Sequence, residues 1–492
     1  MKVKDGDASK VTNRLKLLLI NPTALQWRVA GGKTPRTRTK VFRFSMLSSL
    51  CVASSMPSYV TTRIIDEDVE PVDFDTDADL IGISFMTFNA PRAYEIAEKF
   101  RREKGKKVLF GGYHPTFMPQ EAIQHADSVC IGEAENNAPH MIEDFLSGRL
   151  KPFYKNGPPD LRGLRVPDRN LIRKSAYVIP DTLQATRGCP NRCRFCSITA
   201  FFGGKFRARP VDEVIGELRS LGKYALFMDD NITADREYAK ELFQKMIPLR
   251  KRWFSQCSVR IAYDDELLRL ARLSGCRGMF VGLESISQNN LLGCNKGFNK
   301  ADDYVWAIER LHARGIGVYA GIVFGMDWDT PEIFSKTLDF LHRAKVDALQ
   351  ATILTPFPGT PLFDDMESQG RIIDKDWSKY DFGHVVFEPK NMSPETLKRG
   401  HDWVLREFYS KRAVLRRLGR SLEYLSPWTA LHCILPLNLN YRSRLARVEE
   451  FEGHDSYQGR KEVNKTVKKD ASEVSEKMSL SIKQGEMFRR IK

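Results

Sequence analysis

The chain has 492 residues, 42% hydrophobic and 28% charged, the composition of a soluble globular protein. That length excludes a single ordinary core, so two or three domains are expected. Nine cysteines in no regular framework fit a reducing compartment rather than a disulfide scaffold, and no run approaches the roughly 18 apolar residues of a membrane-spanning helix.

The formal charge of +15 is concentrated in two blocks. One holds Arg28, Lys33, Arg36, Arg38, Lys40 and Arg43; the other holds Lys411, Arg412, Arg416, Arg417 and Arg420. Solvated faces account for such blocks. Contact with an anionic partner, a phospholipid or a phosphorylated substrate, is the alternative. No nucleic-acid-binding motif accompanies the charge, so nucleic acid is not an expected partner. Residues 1–14 are polar and lack the apolar centre of a secretory signal. The expected location is cytoplasmic.

Residues 1–13 read as disordered. Residues 15–20 are a short apolar run ending at Asn21-Pro22, which predicts a buried strand stopped by a turn. A basic loop follows to residue 43, then a helix over 44–56. Further strands are expected at 59–65, 80–85, 107–110 and 128–131. Helices are expected at 91–104, 119–125 and 136–147. This alternation predicts an α/β fold, a Rossmann-like doubly wound parallel sheet over residues 14–150. Such sheets bind ligands at the carboxyl ends of their strands. The candidate loops are 21–23, 84–89, 111–116 and 132–135. Residues 151–180, with Pro152, Pro158, Pro159 and Pro167, read as an inter-domain linker.

Cys189, Cys193 and Cys196 then stand in a C-x3-C-x2-C spacing. Three thiolates this close can converge on one inorganic centre, and the loops between them are too short for unstrained disulfides. Structural zinc takes four protein ligands. A cubane [4Fe–4S] cluster also usually takes four, so three cysteines leave one iron open. A zinc knuckle or a chance grouping is the competing reading. Around the cysteines, strands are expected at 181–186, 224–228, 256–261, 278–283, 316–324 and 348–352. Helices are expected at 210–221, 235–247, 264–274, 300–314 and 330–344. This pattern predicts a partial (β/α)6 barrel over 181–395. Chemistry in such barrels sits at the carboxyl ends of the strands, where the cysteines, Asp229, Asp230, Glu284 and the loop 355–361 all fall.

The cysteine spacing, with Phe195 before the last cysteine, resembles the signature of the radical SAM superfamily. The resemblance implies a [4Fe–4S] cluster on Cys189, Cys193 and Cys196, with S-adenosylmethionine on the open iron. It implies reductive cleavage to a 5′-deoxyadenosyl radical and an electron donor such as flavodoxin or ferredoxin. It assigns Phe195, Asp229, Asp230, Glu284, Gly321 and Gly325 to S-adenosylmethionine, although D-D-N at 229–231 departs from the family's Gly-Gly-Glu-like spelling. Helix capping is the competing role for each acid. Upstream, D-L-I-G-I-S, G-G-Y-H-P-T and G-E-A-E are similar to the cobalamin-binding domain of B12-dependent radical SAM proteins, which include methylases of hopanoids and bacteriochlorophyll side chains. This implies cobalamin contacts from Ser84, Thr87, Gly111, Gly112, His114, Gly132 and Glu133. The D-x-H-x-x-G motif that supplies a histidine to cobalt elsewhere is absent. His114 also reads as a hydrogen-bonding residue of a Gly/Pro-rich turn. Cys51, Cys130, Cys257, Cys276, Cys294 and Cys433 read as small core or surface residues.

The implied activity is methylation of an unactivated carbon in a small or lipid-like substrate. One alternative is a vestigial cobalamin domain serving cyclisation, carbon–carbon coupling or rearrangement. Another is a non-enzymatic iron–sulfur or metal-binding protein. Helical periodicity runs over 393–417, within an expected helical region 396–440. The apolar stretch 424–440 either caps the barrel or meets a membrane surface beside the basic block. Residues 441–492 read as a charged, disordered tail.

Overall fold

The structure is a computed structural model that describes residues 14–24 and 44–452. The readings of residues 1–13, of the basic loop 28–43 and of the tail beyond 452 lie outside the described residues. Two compact units are distinguished, Met1–Asn438 and Leu439–Lys492. The first carries both sheets.

The amino-terminal sheet is built from β1 (Leu15–Asn21), β2 (Val60–Asp66), β3 (Leu80–Ser84), β4 (Lys107–Gly111), β5 (Ser128–Cys130) and β6 (Phe153–Tyr154). Its order is β2-β1-β3-β4-β5-β6, and every pairing is parallel. The helices are α1 (Leu47–Ser55), α2 (Ala90–Glu98), α3 (Tyr113–Phe117), α4 (Pro119–His125) and α5 (Ala138–Leu146). A parallel sheet covered on both faces needs uninterrupted apolar strands. In β1, Leu15, Leu17 and Leu19 enter one core, and Leu18 and Ile20 enter the other. That division is why residues 15–20 carry no polar alternation.

The second sheet contains β7 (Thr182–Leu183), β10 (Tyr224–Phe227), β11 (Arg252–Cys257), β12 (Cys276–Glu284), β13 (Gly317–Phe324) and β14 (Ala348–Ile353). Between β7 and β10, a small antiparallel pair is formed by β8 (Thr186–Arg187) and β9 (Arg207–Ala208). The larger sheet is parallel throughout, in the order β14-β13-β12-β11-β10-β7. Its helices are α6 (Ser197–Phe202), α7 (Val211–Ser220), α8 (Arg236–Met246), α9 (Asp265–Leu273), α10 (Gln288–Gly293), α11 (Tyr304–Ala313), α12 (Ile333–Arg343) and α13 (Pro361–Ser368). Strand–helix alternation thus winds six strands into a partial barrel. Along β12, Met279, Val281 and Leu283 are fully buried, whereas Phe280, Gly282 and Glu284 are half-buried on the opposite face. Tyr319 and Gly321 of β13 share that second face, because both meet the Phe280 ring.

The chain continues through α14 (Pro394–Phe408), α15 (Lys411–Tyr424), α16 (Pro427–Thr429) and α17 (Leu435–Glu452). The stretch before Asn438 closes the amino-terminal end of the barrel. Trp428 stacks on Tyr224 with ring centroids 5.4 Å apart, and Arg252 lies 4.0 Å over the same indole. Asn438 donates to the Asp347 carbonyl at 3.0 Å. Leu425, Ala430, Ile434 and Leu437 of the apolar stretch 424–440 are buried, whereas Leu431 and Leu439 are exposed.

Several expected boundaries change for local reasons. The strand expected at 256–261 ends at Cys257, because Ser258 caps a short 3-10 turn over Val259–Tyr263 by accepting the Arg260 N–H. The strand expected at 181–186 is split into β7 and β8. The expected linker 151–180 contributes β6 to the sheet, and Arg169 within it is buried, donating to the Thr182 carbonyl and to Glu217. The helix expected over 393–417 breaks at Ser410, whose hydroxyl accepts the Ala413 N–H and starts α15. Arg417 leaves the exposed basic block. Its guanidinium is buried, stacked 3.6 Å over Phe408 and bonded to Asn438. Helix α17 continues to Glu452, past the expected tail boundary at 441. Helix α3 was not expected at all.

Candidate active site

The cysteine loop joins β8 to α6 at the carboxyl end of the barrel. Gly188 opens it in a left-handed conformation, φ +82°, where a Cβ would collide with the Lys205 carbonyl. Its N–H donates to Asp230 at 2.7 Å. Farther along, the Arg194 N–H donates to the Cys294 carbonyl at 3.0 Å, and the Arg194 carbonyl accepts the Leu362 N–H at 3.1 Å. The Asn295 side chain donates to the Arg192 carbonyl at 2.9 Å. The loop is therefore held by segments that follow β10, β12 and β14. Cys193 is buried, and Cys189 and Cys196 are half-buried; all three are free thiols. Burial pushes the Cys193 thiol up to about 12 and raises the other two. Uncharged thiols of this kind exchange a proton for a metal on binding. Among the described residues no three His, Cys, Asp or Glu side chains meet closely enough for one metal ion. Thiolates bound to separate irons of one cluster need not meet at a point.

The acids divide by what already occupies them. Asp229 is fully buried and brackets the break between β7 and β8. It accepts the N–H groups of Ala185 and Thr186 and the Thr186 hydroxyl, the last two at 2.6 Å. Burial raises it to about 7. It is thus engaged by the chain itself, through two backbone N–H groups and a hydroxyl. Asp230 is raised to about 6, chiefly by burial, and keeps one hydrogen bond, to the cysteine loop. Glu284 ends β12 at a register shift, in the left-handed region at φ +67°. A non-glycine residue held there stores strain, which is common at functional sites. Its carboxylate pairs with Lys296 at 2.5 Å. Gly282 leaves the room for that pair, since a Cβ there would meet both side-chain ends. Gly321 lies beneath the Phe280 ring, and Gly325, at φ +97°, fits against Leu397 and Phe387. Phe195 is half-buried within the cysteine loop.

The loops of the amino-terminal sheet meet this region. Arg187, two residues before Cys189, pairs with Glu133 at 2.6 Å and with Glu135 at 2.5 Å. Arg207 also pairs with Glu133. Tyr113 packs on Phe201 of α6 at 4.6 Å. Phe117 of α3 fills the space over Gly359 in the loop 355–361. Ser84 and Gly111 are paired at the ends of β3 and β4. Gly112, at φ +100°, has the Phe85 carbonyl 2.7 Å from where a Cβ would stand. Gly132 donates its N–H to Thr116 at 3.0 Å, and Thr87 is buried. His114 departs from the expected loop position. It is fully buried, its Nε2 lies 3.0 Å from the Tyr94 hydroxyl and 3.4 Å from Glu121, and its Nδ1 has no hydrogen-bond partner among the described residues.

Sequence reasoning missed Lys296, Arg187, Glu135 and Tyr113. Tyr113 and Glu135 stand inside the quoted G-G-Y-H-P-T and G-E-A-E, and Arg187 stands two residues before Cys189. Lys296 carries no local signal, because its partner is 12 residues away.

Comparison with known proteins agrees with this geometry. Residues 183–341 match the radical SAM superfamily, and residues 58–142 match the B12 binding domain. The chain is 34% identical over 400 residues to bacteriochlorophyllide d C-12(1)-methyltransferase of Chlorobaculum tepidum, covering 77% of this chain and 86% of that protein. It is 25% identical over 392 residues to hopanoid C-2 methylase of Rhodopseudomonas palustris, covering 74% of each. The fold resembles the radical S-adenosylmethionine methyltransferase TsrM from Kitasatospora setae, solved with cobalamin and a [4Fe-4S] cluster, with a TM-score of 0.63 at 17% identity over 81% of this chain and 90% of that one. It also resembles the cobalamin-dependent enzyme OxsB, with a TM-score of 0.62 at 14% identity over 90% of this chain and 81% of that one. The chain belongs to the radical SAM superfamily and carries a B12-binding domain ahead of its radical SAM barrel.

Proposed function

We propose that the protein is a cobalamin-dependent radical SAM C-methyltransferase acting on an apolar substrate. The observation that carries this reading is the meeting of two ligand-binding edges. The loop after β5 is joined to the start of the cysteine loop through Glu133, Glu135 and Arg187, and the loop after β4 meets α6 through Tyr113 and Phe201. In this reading Cys189, Cys193 and Cys196 hold the cluster, and Asp230, Glu284 and Lys296 flank S-adenosylmethionine. The residues suit these groups: the three thiols are free, and Gly112 lets the loop after β4 pack directly on the Phe85 backbone at the end of β3. When bound, the cofactors supply reductive cleavage of S-adenosylmethionine and a transferable methyl group. The chain's own residues bind and orient them. The Glu284–Lys296 pair offers a carboxylate to hydroxyl donors and an ammonium to a carboxylate. Phe254, Phe280 and Tyr319 form an aromatic inner wall of the barrel, with Gln256 and Gln350 on the same face, which suits a lipid or a planar hydrophobic substrate that carries a few polar groups.

The test is transfer of labelled methyl from S-adenosylmethionine to hopanoid and bacteriochlorophyllide acceptors by the reduced, cobalamin-loaded protein. Label in the acceptor together with 5′-deoxyadenosine supports the proposal. Deoxyadenosine without label in any acceptor would refute it for these substrates. One observation favours a second reading, in which the sheet is a scaffold: Glu133 is already paired with two arginines and His114 is enclosed.

No helix of the described residues is long and apolar enough to cross a membrane. Contact with an anionic bilayer is proposed through α15, whose Lys411, Arg412, Arg416 and Arg420 are exposed beside Leu415 and Leu422.

A further inference from the structure

We propose that the surface formed by Arg192, Leu292, Asn295 and Trp328 is the docking site of an acidic one-electron carrier protein that reduces the cluster. The inference rests on the cluster assignment made above.

The cysteine loop is held by the neighbouring segments, with Gly188 and Cys193 buried and most of its other residues half-buried. Pro190 and Arg192 are its exposed residues between Cys189 and Cys193. Arg192 stands at φ +50°, with its guanidinium against Gly204. Its carbonyl accepts from exposed Asn295, which places the end of α10 beside the loop. Leu292 and Trp328 are each 60% exposed. Trp328 lies beside the residue that follows Leu292, its Nε1 3.7 Å from where a Gly293 Cβ would be. These side chains stand on fixed backbone. The Trp328 N–H donates to Asn290 at 3.0 Å, and the buried Asn290 amide donates to Asp329 at 2.7 Å. Leu292 and Trp328 are large apolar groups left in solvent on or beside the segment whose Cys294 carbonyl and Asn295 side chain bond to the cysteine loop. An interface explains them.

The charge around them selects the partner. No carboxylate bonds to Arg192 among the described residues. Asp327, adjacent to Trp328, is matched by both Arg371 at 3.0 Å and Lys390 at 2.7 Å. Arg194 is paired with Asp365. Cations therefore exceed anions around an apolar centre, on a chain of net charge +15. An apolar centre within a charged rim is the usual anatomy of a protein interface, and complementary charge steers such encounters. The occupant is then an acidic flavin or iron–sulfur carrier. The transfer is one electron: the carrier's reduced centre is oxidised by one, and the oxidised cluster is reduced by one. No covalent bond changes in that step. The same electron later enters the sulfonium of S-adenosylmethionine, where the C5′–S bond breaks to methionine and the deoxyadenosyl radical.

The experiment uses the iron-loaded protein and two reductants: a flavodoxin kept reduced by its NADPH-dependent reductase, and dithionite. Cluster bleaching is followed by stopped-flow absorbance in the wild type, Arg192→Glu and Leu292→Asp/Trp328→Asp. Affinity for oxidised flavodoxin is measured in parallel by calorimetry. The expected result is flavodoxin-driven reduction slowed about tenfold or more and affinity weakened about tenfold, with dithionite reduction within about twofold of wild type. The Arg192→Glu protein should also lose much of its salt dependence. Unchanged flavodoxin rates, or equal losses with both reductants, would overturn the proposal. If the wild type retained no iron, the cluster assignment itself would fail, and iron analysis reveals that before any carrier is added.

Discussion

Asp229 and Cys193 show what a single position does here. The Asp229 carboxylate holds two backbone N–H groups and a hydroxyl at the break between β7 and β8. Asp229→Asn turns one acceptor into a donor facing the Ala185 N–H, so a loss of about 1–3 kcal/mol is expected by denaturant titration. Burial raises this group to about 7 in the folded protein from 3.8. The native state therefore binds more protons than the unfolded chain between those values, and its stability contribution is present below pH 3.8 and falls as pH rises toward 7. Asp229→Asn should flatten the stability profile across that window, and an unaltered profile would assign it to other groups. At the cluster, Cys193→Ala should abolish iron retention after anaerobic reconstitution, whereas Cys257→Ala should keep it. The cysteine triad was legible because chain spacing alone determines it. The role of Asp229 was not, because its donors lie more than 40 residues away. His114 read as a hydrogen-bonding residue of a Gly/Pro-rich turn or a cobalamin contact; it does hydrogen-bond, to Tyr94 and Glu121, but its enclosure was not legible, because Trp377 packs on it from a distant segment.

The elements were readable wherever burial imposed a period. The β1 run and the alternation of β12 both follow from which faces are covered. Short pieces were not readable. β6 has two residues and exists only because β5 offers an edge, and α3 is five residues with no apolar period of its own. Between the two sheets, Glu133 accepts from Arg187 and Arg207 with its side chain 8% exposed. Removing Glu133 leaves Arg207 without this carboxylate and Arg187 with Glu135 alone, so Glu133→Ala should cost about 3 kcal/mol in urea unfolding. A loss below about 0.5 kcal/mol would show that the pairs are solvent-screened. For α15, the triple variant Arg412→Glu/Arg416→Glu/Arg420→Glu should abolish sedimentation with phosphatidylserine vesicles. It should leave the fold intact, because these side chains are exposed and Arg417 alone faces inward. Undiminished vesicle binding would end the membrane proposal for α15.

At the scale of the molecule, a doubly wound sheet and a partial barrel place the carboxyl-end loops of each beside the other. Both folds follow from alternating strands and helices, and both were expected from the sequence. Their direct connection was not, because the Arg187 and Tyr113 contacts join positions 52 to 88 residues apart. That connection is where two cofactors would have to meet for a methyl group to reach a substrate carbon. The most direct test is metal analysis of protein produced and reconstituted without oxygen in the presence of cobalamin, then desalted. About four irons and about one cobalt per chain is the expected result. About four irons with no cobalt would contradict methyl transfer through cobalamin and leave the amino-terminal sheet as a scaffold for other radical chemistry.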